Sequence, residues 1–156
     1  MKYDDASWHY DGEFPSNLPD EAGATHIAMF VAWCVLNGMA GELHGVESSE
    51  ATDFLRARTL TPARWFIEAC DGKFTDEDLS DEGNVFASDY YTAEANRAFA
   101  SSSYLEDYEK AFPEAANLYE VPDTWKSYDR IAPIIARRAM KWRARRSRPS
   151  WLGGWL

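Results

Sequence analysis

The sequence is poor in the residues on which most catalytic and metal chemistry depends. Of 156 residues only two are cysteine, Cys34 and Cys70, and three are histidine, His9, His26 and His44. Each cysteine lies in an apolar run, so the pair reads as two small buried hydrophobes in a reducing compartment, not as a disulfide or a metal site. No histidine stands at the short spacing from another His or Cys that zinc sites show, and each is expected to be a satisfied structural residue. A Gly-rich phosphate loop, a nucleophile elbow and a paired His–Cys motif are all missing. The run from Asp71 to Glu82 begins and ends on acids like a calcium loop. It fails that comparison, because Lys73 stands where an oxygen ligand is needed and Asp76 where the sharp turn needs Gly. These absences point away from an enzyme, and no catalytic residue, metal or cofactor is assigned.

Long apolar runs are also missing. The longest, Ile27 to Leu36, has ten residues, about half of the ~20 that span a bilayer as a helix. The N-terminal residues Met1-Lys2-Tyr3-Asp4-Asp5 show no secretory pattern, so a cytoplasmic protein without a membrane span is expected. No repeat and no Pro/Gly/Ser-rich linker divides the chain. Residues 1–146 therefore read as a single helical domain, and 147–156 as a Trp-rich C-terminal tail.

What is abundant is core material, with 46% hydrophobic and 15% aromatic residues and seven Trp. The pattern predicts a mainly α, compact bundle of about five to six helices, preceded by an irregular aromatic arm in which a short strand is possible. Thr25 to Met39 is apolar on nearly every side and reads as a buried central helix stopped by Gly38 and Gly41. Further helices are predicted over Glu50 to Arg58 and from Thr61-Pro62 to Asp71-Gly72. Others follow from the Thr75/Asp78 capping box to about Tyr91, over part of 93–112, and from Thr124 to Arg146 with Pro133 inside it.

Charge is divided sharply along the chain. Residues 1–125 hold seven Lys/Arg against 25 Asp/Glu, a balance of −18, whereas 126–156 hold nine against one, +8. On a helical wheel of about 100° per residue, Asp78, Asp81, Glu82 and Asp89 share a face, with Asp76 and Glu77 just before it. Lys126, Arg130, Arg137 and Lys141 share a face of the last helix. An acidic row can be a solvated surface, can pair with the basic row inside the molecule, or can steer a basic partner into contact. Nucleic acid fits poorly, because the acidic body would repel phosphate. The tail, with Trp151, Leu152, Trp155 and Leu156, reads as a strap over an apolar groove or as a partner contact with Trp as anchor.

The runs Tyr3-Asp4-Asp5-Ala6-Ser7-Trp8-His9-Tyr10, Ala24-Thr25-His26-Ile27-Ala28-Met29-Phe30, Cys70-Asp71-Gly72-Lys73-Phe74-Thr75-Asp76-Glu77-Asp78-Leu79 and Tyr119-Glu120-Val121-Pro122-Asp123-Thr124-Trp125 resemble a family of small, acidic, uncharacterised bacterial proteins. The resemblance spans about residues 3 to 142 and leaves out the tail. Proteins of this appearance often lie in toxin-containing gene neighbourhoods. The resemblance thus implies an immunity protein that neutralises a cognate toxin with a basic active-site cleft, and it carries no catalytic residues with it. The expected partner-binding residues are Asp76, Glu77, Asp78, Asp81, Glu82, Asp89, Trp151 and Trp155. A self-associating adaptor, possible as a homodimer, and an enzyme of unknown chemistry built around His26 and His44 are the alternatives.

Overall fold

The computed structural model describes residues 1–10, 14–47, 49–92 and 103–148. At its centre lies α1 (Thr25–Leu36), in which every residue from Thr25 to Val35 is buried. A helix that is apolar all round is stable only when surrounded. That surround comes from α2 (Ser49–Arg56), α3 (Pro62–Cys70), α4 (Asp81–Tyr90), α5 (Tyr104–Ala111) and α6 (Trp125–Arg146). Helix α1 packs against α3 and α6, while α2 packs on α3 and α5 on α6. The fold is mainly helical, as expected, and among the described residues no helix is long and apolar enough to cross a membrane.

Most helix ends follow local chemistry. Thr61 is extended before Pro62, and α3 stops where Asp71 and Gly72 take left-handed backbone, φ 55° and 70°. Ser103 caps α5, and Thr124 caps α6 by accepting from the Ser127 N–H at 3.1 Å. Pro133 leaves α6 unbroken. It stands on an exposed side of the helix, where water can satisfy the carbonyl its missing N–H frees.

The fourth helix departs from expectation. Thr75 and Asp78 do form the capping box, but it heads only a 3-10 turn, Asp76–Asp78. Leu79 and Ser80 then return to extended backbone, because Leu79 is buried and bridges Ala40 of the preceding loop. Helix α4 begins afresh at Asp81, where the Ser80 hydroxyl accepts from the Gly83 N–H at 3.1 Å. The loop can come this close only as glycine, since a Cβ on Gly41 would lie 2.5 Å from the Glu77 carbonyl oxygen.

The N-terminal arm holds a strand, β1 (Lys2–Asp5), which pairs antiparallel with β2 (Lys73–Thr75), Asp5 opposite Lys73 and Lys2 opposite Thr75. A 3-10 turn, Ala6–His9, follows, with the Asp5 carboxylate accepting from the Ser7 N–H. This turn folds the arm back over the N-terminal end of α1.

Candidate functional site

That return brings two of the three histidines together. β1 presents Asp4 to the interior, the 3-10 turn brings His9 back, and His26 is the second residue of α1. The rings of His9 and His26 meet edge to face with centroids 4.6 Å apart. The Asp4 carboxylate accepts from Nε2–H of His9 at 2.9 Å, from the Tyr91 hydroxyl at 2.6 Å and from the Asp5 N–H at 2.8 Å. On its other side His9 accepts at Nδ1 from the Tyr119 hydroxyl at 2.9 Å. Tyr119 sits in a short turn, Leu118–Glu120, capped by Asn117.

His26 is different. It is fully buried, its Nε2 stands 3.8 Å from Asp4 Oδ2, and neither ring nitrogen has a hydrogen-bond partner among the described residues. Orphaned polar atoms at such depth are rare in folded proteins. Burial, reinforced by the neighbouring His9 and opposed by Asp4, pushes the His26 pKa down to about 3, so the ring is neutral with a free lone pair. For Asp4 burial acts upward, but the hydrogen bonds from His9 and Tyr91 and the nearby imidazoles outweigh it and hold the carboxyl below its usual value. The expectation of a satisfied structural histidine describes His9 and fails for His26. Sequence spacing could not show this, because the residues converge through the β1–β2 pairing.

A second buried group joins His44, Cys70 and Asp78. Nε2 of His44 lies 2.8 Å from Asp78 Oδ1 and 3.7 Å from Cys70 Sγ. One nitrogen faces both neighbours, so the three do not form a relay, which needs a different ring nitrogen on each side. Burial and the Asp78 carboxylate push the Cys70 thiol upward, which leaves it protonated and inert. The other Asp78 oxygen accepts from the Thr75 N–H at 2.8 Å. A cleft of about 470 Å³ runs past Leu18, Ala22, Thr25, Ile67 and Tyr119. Of the polar network only Tyr119 reaches it.

The acidic stripe is smaller than the wheel suggested. Asp78 is 2% exposed and lies ahead of α4, engaged by His44 and Thr75, and Asp89 is 9% exposed, accepting from the Trp142 indole at 2.8 Å. Neither is available to a partner, and reversing either charge would bury an unpaired cation. Asp76, Glu77, Asp81 and Glu82 are exposed. Asp76 pairs with the Met1 amine at 3.0 Å and Glu82 with Arg143 at 2.6 Å, while Glu77 and Asp81 have no ion pair among the described residues. Val85, one turn beyond Asp81, and Met1 are exposed apolar neighbours of this group. Lys126, Arg130, Arg137 and Lys141 are exposed as expected, and Arg130 pairs with Glu114. Trp151 and Trp155 lie outside the described residues.

A family model described as a domain of unknown function matches residues 2–121. The match takes in both histidine clusters and the acidic turn but ends before α6. No curated protein and no solved structure matches the chain.

Proposed function

The chain belongs to the DUF7832 family, and from that premise we propose that it is an immunity protein, holding a toxin inactive by direct binding through the acidic turn at the head of α4. The observation that carries this reading is the exposed charge of Glu77 and Asp81, paired with no cation among the described residues, flanked by Asp76 and Glu82 and edged by exposed Met1 and Val85. Carboxylates around a small apolar patch suit a basic cleft. The charge speeds encounter, and the apolar groups exclude water once contact is made. A toxin that acts on phosphate-bearing substrates must present such a cleft, and carboxylates can fill it by imitating the substrate's charge. The resemblance noted in the sequence supports a toxin as the partner.

The test uses the tagged chain as bait in host lysate at low and high salt, beside a Glu77→Lys/Asp81→Lys variant. Both sites are exposed, so folding should be unaffected. The captured protein is then made separately, its affinity measured, and its toxicity scored with and without co-expression of each bait. The expected result is a basic partner released by salt, bound at least about tenfold more weakly by the variant, chiefly through slower association. Wild type, but not the variant, should relieve its toxicity. Equal affinity of the two baits removes this face from the interaction, and a partner harmless to cells removes the immunity role.

A further inference from the structure

We infer that Asp4, His9 and His26 form a binding site for a divalent first-row transition-metal ion of the zinc class. One ring nitrogen from each histidine and one Asp4 oxygen all lie within 4.8 Å of one another. Bonds of about 2.0–2.2 Å to a tetrahedral zinc place neighbouring ligand atoms roughly 3.2–3.5 Å apart. The carboxylate meets the two rings with different oxygens, Oδ1 at 2.9 Å from His9 Nε2 and Oδ2 at 3.8 Å from His26 Nε2, one below and one above that range. A rotation of the carboxylate that turns one oxygen between the two rings, with the three ligand atoms drawing in from their present spread of at most 4.8 Å, would seat the ion.

The second observation is independent of the clustering. His26 offers two nitrogens, both fully buried and both without a partner among the described residues, and an ion at the centre supplies the contact that these residues do not. Tyr119 supports the same assignment. Once Nε2 of His9 is committed to the ion, Nδ1 carries the proton and donates to the Tyr119 oxygen, an outer-shell bond of the kind that orients metal-bound histidines. The proton that His9 holds at Nε2 moves to Nδ1 as the ion takes its place, so binding releases no net proton. Two imidazoles and a carboxylate suit zinc and its neighbours in the series, and three ligands leave a position for water or an incoming donor. His9 is only partly buried, which gives the ion a way in.

The other convergent group, His44, Cys70 and Asp78, is an internal control. Its Nε2 already has Asp78 as partner and Asp78 is bound into the capping box, so among the described residues only Nδ1 of His44 lacks a partner, and that is not the nitrogen facing the group.

The full chain, stripped with chelator, is titrated with zinc alone by calorimetry in buffers of different protonation enthalpy. Cobalt(II) serves as a spectroscopic probe of tetrahedral coordination. One ion per chain is expected, with a binding enthalpy that does not change from buffer to buffer, since no net proton is released. His9→Ala and His26→Gln should weaken binding at least about a hundredfold, and Tyr119→Phe about tenfold. His44→Gln should bind as wild type does. Should His26→Gln fail to fold, the partly exposed His9 carries the test alone. Absence of zinc binding overturns the assignment, as does unchanged affinity in His9→Ala or loss of binding in His44→Gln. None of these outcomes touches the partner measurement above, which depends on a different surface.

Discussion

The Asp89 carboxylate, counted from the wheel as part of a wet acidic row, instead sits inside the protein and accepts the indole N–H of Trp142. Its partner belongs to α6, which a wheel drawn for α4 alone does not contain. Asp89→Ala should leave that indole N–H buried and unpaired and destabilise the protein by about 1–3 kcal/mol in urea unfolding. Glu77→Lys, at an exposed site, should move stability by less than about 0.5 kcal/mol. The histidines teach a related lesson. Their separation in sequence argued for three unrelated residues, while the fold sets His9 against His26 because a strand at the N-terminus finds its partner some seventy positions on. What was legible at this scale was burial of both cysteines, since their apolar flanks state it directly.

Among elements, the helices whose ends carry their own chemistry were readable. Thr61-Pro62, Asp71-Gly72 and Thr124 each mark a boundary seen in the structure. The strands were not, because three or four residues pair through a non-local contact that propensity does not encode. The start of α4 was misplaced because the capping box is real but serves a single turn. Helices α5 and α6 are joined by Asp107, whose carboxylate accepts from Arg138 at 2.8 and 2.9 Å and from the Tyr90 hydroxyl at 2.6 Å. Asp107→Ala should remove the carboxylate on which the Arg138 guanidinium and the buried Tyr90 phenol converge. A loss of about 3 kcal/mol is expected in denaturant titration, larger than for any exposed pair such as Arg58–Asp129.

Taken as a whole, the molecule folds its basic end onto its acidic body. Arg58–Asp129, Arg130–Glu114, Arg138–Asp107 and Arg143–Glu82 fasten α6 at successive points. The division of charge was plain from the sequence, but which carboxylates would be spent on α6 was not, since that depends on how the helix lies. Alkali should test the interior. Burial raises the phenols of Tyr90 and Tyr104 far above their usual value and that of Tyr128 to about 12. The unfolded chain sheds these protons near pH 10 while the folded one keeps them, so stability should be intact below pH 10 and fall as pH rises through 12. Phenolate absorbance should then appear together with loss of helical circular dichroism. Separate, earlier ionisation of these tyrosines would contradict the burial described.

Helix α6 lies beyond residue 121, where the family match ends, yet Ile131, Ile135 and Trp142 on it are core residues. A fragment cut at the family boundary would therefore be an incomplete object. One side of the central helix would lie open to solvent, Asp107 and Asp89 would lose the α6 guanidinium and the indole they hold, and the acidic remainder would lose the basic end that offsets part of its self-repulsion. For anyone designing an expression clone, or comparing this chain with shorter relatives, the boundary of recognisable ancestry and the boundary of the folding unit are different places.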